Sequence, residues 1–198
     1  MTTKNLPIYQ IDAFSDVLFA GNPAAVVPLS TWLPDDVLQK IAMENNLSET
    51  AFFVPVTAGN ADFHIRWFTP TVEVPLCGHA TLASAYVIFN QLGFEGDIVR
   101  LQSKSGILTA RRYLDAIVLD FPKQPIVPET LADDVIAALG GDTPVETFGV
   151  ASRDTDLVAV YDDAAIVRSM TPDMSLLAKL ADRGVIVTAP GDKTGLDM

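Results

Sequence analysis

The sequence predicts an α+β fold in which a curved sheet of short strands wraps around one buried helix. Three observations carry that prediction. Of the 198 residues, 49% are hydrophobic and 19% charged, a composition that supports a buried core and excludes charge-driven disorder. Residues 78–93, GHATLASAYVIFNQLG, read as a helix without a single charge, so no face is reserved for water. Short strand patterns flank that helix without the regular strand-helix alternation of a doubly wound sheet.

The elements follow in order. IYQIDAF, 8–14, alternates as a strand, and AAVV, 24–27, reads as a second after a turn at Gly21, Asn22 and Pro23. In 34–46, PDDVLQKIAMENN, one helical stripe carries Val37, Leu38, Ile41 and Ala42, and two aspartates stand near the N-terminus where free N–H groups favour them. TAFFVPV and ADFHIRWF read as a hairpin turning at Ala58, Gly59 and Asn60, while DIVRLQS, GILTARR and AIVLDF read as an antiparallel meander.

PKQPIVP, 122–128, holds three prolines and predicts a linker between a first domain, 1–121, and a smaller second one, 129–198. The second domain is read as a helix from Ala132 to Leu139, strands near VETFGVA and DLVAVYD, a helix from Asp173 to about Arg183, the strand VIVTA and the polar end PGDKTGLDM.

Charge and composition narrow the function. With 13 basic and 25 acidic residues the net charge is -12, so clustered positive charge for nucleic-acid phosphates or anionic membranes is missing. No apolar run approaches the roughly 20 residues that cross a bilayer. The opening MTTKNLPIYQID lacks a signal peptide's apolar core, so the expected location is the cytoplasm. Cys77 is the single cysteine and excludes any mechanism needing two thiols on one chain. His64 and His79 form no HExxH pattern, so no metal site is expected. Without a GxGxxG or Walker sequence, no nucleotide cofactor is expected either.

Few polar side chains stand among apolar neighbours. Glu49, in NNLSETAFF, sits at an element boundary beside Phe52 and Phe53, where partial desolvation makes a carboxylate a usable general base and acid; alternatively Ser48 and Glu49 simply satisfy a turn or surface position. In WFTPTVEVPLCGHATLA the uncharged helix begins just after Pro75 and Gly78. Backbone N–H groups of Gly78, His79 and Ala80 would there face an anion, and the positive helix end favours a neutral His79 ring. A capping or core histidine is the other reading. The same proximity argues for a lowered Cys77 thiol pKa, but a single buried cysteine is usually a packing residue. Glu73 is read as a helix cap or an orienter of His79, or as a solvated turn carboxylate, and His64 as a strand residue facing water. The Asn22 turn offers a side-chain amide and close backbone approach to a ligand, or is a plain tight turn.

Together, YQIDAF with FAGNPAAVV, LSETAFF and RWFTPTVEVPLCGHATLA resemble the N-terminal domain of the phenazine-biosynthesis PhzF-like isomerases, relatives of the diaminopimelate epimerases, and SRDTDLVAVYDD and GVIVTAPGD extend the resemblance along the chain. The resemblance implies a diaminopimelate epimerase-like fold: two similar domains, each a mixed, barrel-like sheet around a central helix, with the active site in the cleft between them. It makes Glu49 of the SET motif the proton-shuttling carboxylate, and Gly78 and His79 of the GHAT motif the groups that hold and polarise substrate. The best-known family member isomerises trans-2,3-dihydro-3-hydroxyanthranilate. The family's DPVTGSA-like motif is not among these 198 residues, which end DKTGLDM, so a partial second domain is expected.

The function expected is therefore cofactor-independent proton transfer on a small cyclic or amino-acid-like acid. Glu49 and His79 are read as catalytic, Asn22, Ser48, Gly78 and Ala80 as substrate-binding, and Glu73 and Cys77 as supporting. Two alternatives stay open: an amino-acid racemase or epimerase, which needs a second acid-base group opposite Glu49, and an inactive self-associating or ligand-binding domain. A homo-oligomer, such as a homodimer, meeting through residues after about 128 is expected, because an uncovered strand edge at 185–189 invites a second copy.

Overall fold

A computed structural model describes residues 5–17, 19–121, 123–150, 156–180 and 184–191. The chain divides into two compact units, 1–122 and 123–198.

Unit 1 contains β1 (Tyr9–Ala13), β2 (Asn22–Pro28), α1 (Asp35–Asn45), β3 (Glu49–Pro55), β4 (Phe63–Phe68), β5 (Glu73–Val74), α2 (Gly78–Asn90), β6 (Ile98–Ser103), β7 (Gly106–Tyr113) and β8 (Ala116–Asp120). Its mixed sheet runs β1-β2-β3-β4-β6-β7-β8, with β5 added to β4. Pairing is parallel at β2-β3 and β4-β6 and antiparallel at the other junctions. Because α2 packs on β1, β2 and β3 and also on β8, at the opposite end of that order, the sheet curls around the helix.

Alternation along β3 explains its unbroken apolar run. Ala51 and Phe53 face the α2 core with Ala24, Val26, Ile65 and Trp67. Phe52 and Val54 face the other way, into a second cluster with Leu38 and Ala42 of α1 and with Val27, Leu29 and Phe68. A strand buried on both faces leaves no polar position in its middle.

Helix α2 is nearly enclosed, as its composition predicts. Ala80, Ala83 and Ala85 are at most 1% exposed, and such small side chains let the sheet approach the helix. Its two buried hydroxyls turn back on the helix itself: Thr81 Oγ1 donates to the Cys77 carbonyl and Ser84 Oγ to that of Ala80, so neither is left unpaired. Two details differ from the sequence expectation. Tyr86 is 42% exposed, and the helix ends at Asn90 rather than residue 93. Past that point Gly93 adopts φ 69° and the amides of Gln91, Leu92 and Phe94 take up carbonyls of the last turn.

The turn between β1 and β2 is also shorter than predicted, since Asn22 and Pro23 already pair with Ala13 and Asp12. Gly21 precedes the ladder and has no room for a side chain: a Cβ there would lie 2.5 Å from the carbonyl oxygen of Ala13.

Unit 2 contains β9 (Ile126–Pro128), α3 (Asp133–Leu139), β10 (Glu146–Val150), β11 (Leu157–Val160), α4 (Ala164–Ser169), α5 (Met174–Leu180) and β12 (Val185–Thr188). Its sheet order is β12-β11-β10-β9, with only β11-β12 parallel. Leu131, Val135, Leu139, Ala159 and Tyr161 form its core. The Pro-rich segment read as a linker ends in β9, because an edge strand tolerates proline. Helix α4, not foreseen, starts where the Asp163 side chain accepts from the Ala165 amide. The predicted helix end at 181–183, the last residue of VETFGVA, residues 152–155 of the SRDTDLVAVYDD segment and the DKTGLDM tail lie outside the described residues.

Candidate active site

Glu49 is the first residue of β3 and pairs with Ala24 of β2. Since Ala51 and Phe53 face the α2 core, the two-residue period of a strand aims Glu49 at the same face. That end of β3 meets the N-terminus of α2, where His79 is the second helical residue and Cys77 the N-cap. The result is a cluster: the donor atoms of Glu49, Cys77 and His79 all lie within 4.8 Å of one another.

The imidazole stands between the other two groups. Nδ1 of His79 is 3.4 Å from Cys77 Sγ, and Nε2 is 3.4 Å from Glu49 Oε2. Nε2 is buried and has no hydrogen-bond partner; its approach to Glu49 is an ion-pair distance without hydrogen-bond geometry. Both His79 and Cys77 are buried, at 9% and 8% exposed, whereas the Glu49 side chain keeps 19%. The carboxylate is therefore the member that a small solute reaches from water.

The first intrahelical amide bond of α2 runs from Thr81 to the Cys77 carbonyl. The amides of Gly78, His79 and Ala80 precede it and have no intrahelical acceptor, which leaves them to an anion or to nearby side chains. Gly78 has nothing within 4 Å of where a Cβ would stand, while the Ala80 side chain is wholly buried. Ala80 thus has no side-chain contact to offer substrate, and its backbone N–H is directed at Cys77.

The expectation of a lowered thiol pKa for Cys77 is corrected. Burial pushes the thiol up to about 12, outweighing the Ala80 and His79 amides that favour the thiolate, and the Glu49 carboxylate adds to the rise. Asn22 starts β2 and is exposed; alternation with Ala24 and Val26 puts it on the α2 face, diagonal to Glu49. Ser48 precedes β3 and is exposed.

Glu73 does something other than expected. It pairs with Phe68 of β4, on the face turned away from α2. There its carboxylate accepts two hydrogen bonds from Arg66, at 2.8 and 2.9 Å, and lies 2.6 Å from Lys104 Nζ. Arg66 holds its carboxyl down at about 2, against the opposing effect of burial, with Lys104 assisting. Glu73 neither caps α2 nor touches His79.

Arg66, the organising cation of this network, was not singled out from the sequence. It also binds Asp35 at 2.8 Å and lies over the rings of Trp32 and Phe68, 5.3 and 5.1 Å from their centroids. The available signal was a lone arginine between Ile65 and Trp67 in a strand pattern. His64, on the same strand face as Arg66, packs edge-on against Trp32 at 5.1 Å, so it is half-buried rather than turned to water; burial and then Arg66 lower its pKa.

Among the described residues, no helix is long and apolar enough to cross a membrane. Comparison with known proteins adds the following. A family model described as phenazine biosynthesis-like protein, PhzC-PhzF, matches residues 11–195. An uncharacterized isomerase of Pseudomonas aeruginosa is 46% identical over 184 residues, covering 93% of this chain and 68% of its own length. The crystal structure of a PhzF-family phenazine biosynthesis protein from Enterococcus faecalis superposes with a TM-score of 0.82 at 43% identity, over 97% of this chain and 70% of that one. A PhzC/PhzF protein from Clostridium difficile gives a TM-score of 0.79 at 36% identity, over 98% and 71%.

Proposed function

Because the chain belongs to the phenazine biosynthesis-like PhzC-PhzF family, we propose that it is an isomerase that moves a proton within a small cyclic or amino-acid-like carboxylic acid, using Glu49 as the proton carrier. The observation that carries this reading is the cluster of partly exposed Glu49 with buried Cys77 and His79 at the N-terminus of α2. It supplies acid-base groups without calling on a cofactor.

In this mechanism the Glu49 carboxylate takes a proton from a carbon of the bound acid. Negative charge then develops on the conjugated system, where the His79 ring and the free amide of Gly78 stabilise it. Glu49, now neutral, returns the same proton to a second carbon of that system, and the carboxylate is regenerated. Asn22 and Ser48 lie at the solvent side of this end of the sheet and contact the substrate's polar groups.

One base serving one face fits the geometry better than racemisation. A racemase needs acid and base on opposite faces of a carbon, whereas the three donor groups stand together within 4.8 Å, and burial keeps the Cys77 thiol protonated, at about 12. The reading also includes a cytoplasmic setting and a homo-oligomer. Ile126, Val127, Met174 and Ile186, at 43 to 70% exposed, give unit 2 an apolar surface for a second copy.

The test is hydrogen exchange. In deuterated water the protein should introduce deuterium into trans-2,3-dihydro-3-hydroxyanthranilate or a related small cyclic acid, read as a mass shift. E49Q should bind the same compound without exchange, since an amide keeps the shape and loses the base. Unchanged exchange in E49Q would overturn the assignment.

A further inference from the structure

The cluster at the head of α2 is also a set of metal ligands. A carboxylate, a thiol and an imidazole from two elements lie within 4.8 Å of one another, and the imidazole has a buried Nε2 with no hydrogen-bond partner. A buried polar atom left unpaired is costly, and a ligand that engages it recovers that cost. The group that engages an imidazole nitrogen, a thiolate and a carboxylate together is a borderline-soft divalent metal ion.

The spacing fits. Zinc holds nitrogen and oxygen ligands at about 2.0 to 2.2 Å and sulfur at about 2.3 Å, so tetrahedral ligand atoms stand roughly 3.3 to 3.8 Å apart. The Nε2 to Oε2 separation and the Nδ1 to Sγ separation are each 3.4 Å. With the unpartnered Nε2 as the binding nitrogen, the edge to Glu49 Oε2 is already formed, and Cys77 Sγ, which lies against Nδ1, is the ligand that has to move. With no donor more than 4.8 Å from another, the third ligand closes by rotating inward about 1 Å. Glu49 is the partly exposed member and gives an arriving ion its way in.

We propose that Glu49, Cys77 and His79 form a three-ligand site for a zinc-type divalent ion, and that its occupancy blocks proton transfer. On binding, the metal-sulfur bond replaces the thiol's S–H bond and the proton passes to solvent. The ion then occupies one imidazole nitrogen and one carboxylate oxygen, and its charge lowers the basicity of the oxygen that remains, so Glu49 no longer takes a proton from carbon. The sequence expectation of no metal site rested on the absence of HExxH, a pattern within one helix. These ligands instead come from a strand and a helix start that only folding brings together.

The metal site stands apart from the isomerase reading, the block on proton transfer rests on that reading, and the test of the site has a readout other than activity. Reduced, chelator-free protein is titrated with Co²⁺, and thiolate-to-cobalt charge-transfer absorption is followed. The full chain should bind one equivalent with that band, and Zn²⁺ should displace it. E49Q and H79A should each weaken cobalt affinity at least about tenfold, with H79Q as the volume-keeping substitute should H79A not fold by circular dichroism. Absence of the thiolate band in the unsubstituted chain overturns the site, as does a properly folded E49Q or histidine variant that binds as tightly as the parent. Deuterium exchange run with excess chelator reads the isomerase separately, so exchange without cobalt binding removes only the metal site.

Discussion

Oε2 of Glu49 lies 3.4 Å from Nε2 of His79, and the two arrive there from the first residue of β3 and the second residue of α2. The pair joins a partly exposed carboxylate to a buried imidazole nitrogen that has no hydrogen bond of its own. Strand alternation sets the direction of one partner and the helix start sets the position of the other.

The two members should separate kinetically. In chelator-treated protein, E49Q should reduce deuterium exchange by about 10² to 10⁴-fold, the range a positioned general base supplies. H79A should lose less, because the Gly78 amide and its neighbours still stabilise negative charge. The comparison is of exchange rates at saturating substrate. An H79A loss equal to that of E49Q would show that the imidazole, rather than the carboxylate alone, carries the proton.

Cys77 should be inert in the folded protein. Burial pushes its thiol up to about 12, so the thiolate that reacts with alkylating reagents is scarce near neutral pH. Iodoacetamide modification, followed by mass spectrometry, should be at least tenfold slower in native protein than in urea. Equal rates in the two conditions would contradict the burial.

The Arg66 to Glu73 pair predicts an acid-dependent loss of stability. The Glu73 carboxyl falls from an ordinary 4.5 to about 2 in the folded chain. A lowered folded pKa means that its contribution is complete above about 4.5 and is lost as pH falls toward about 2. Urea midpoints measured across that window should fall with acidity, and E73Q should flatten this part of the slope. R66A should cost roughly 1.5 to 3 kcal/mol at neutral pH, since it removes charged hydrogen bonds and leaves a partly buried carboxylate.

Gly21 should resist substitution by even the smallest side chain. Its Cβ would meet the Ala13 carbonyl oxygen at 2.5 Å and the Asp12 Cβ at 2.9 Å, and both belong to β1. G21A should destabilise unit 1 by roughly 1 to 3 kcal/mol, the usual cost of overpacking, read as a lowered urea midpoint. The neighbouring Asn22, exposed at the start of β2, should accept alanine with little change in stability.

The sequence by itself determined the elements whose cause is local. The uncharged stretch from Gly78 had to become an enclosed helix, since no face of it suits water. Alternation placed most strands, and the SET and GHAT segments named Glu49 and His79. The tertiary structure decided which charged group meets which. In sequence Glu49 is paired with His79 by motif and Glu73 is one of its candidate orienters, yet pairing register turns Glu49 toward α2 and Glu73 toward Arg66, and a strand's two faces are exchanged by a shift of one residue. Folding likewise settled Cys77, where loss of water outweighs the helix end, and made an edge strand of Ile126–Pro128, where pairing with β10 prevails over a composition that reads as linker. Burial and strand pairing depend on residues distant in the chain, which is why composition and spacing alone do not reveal them.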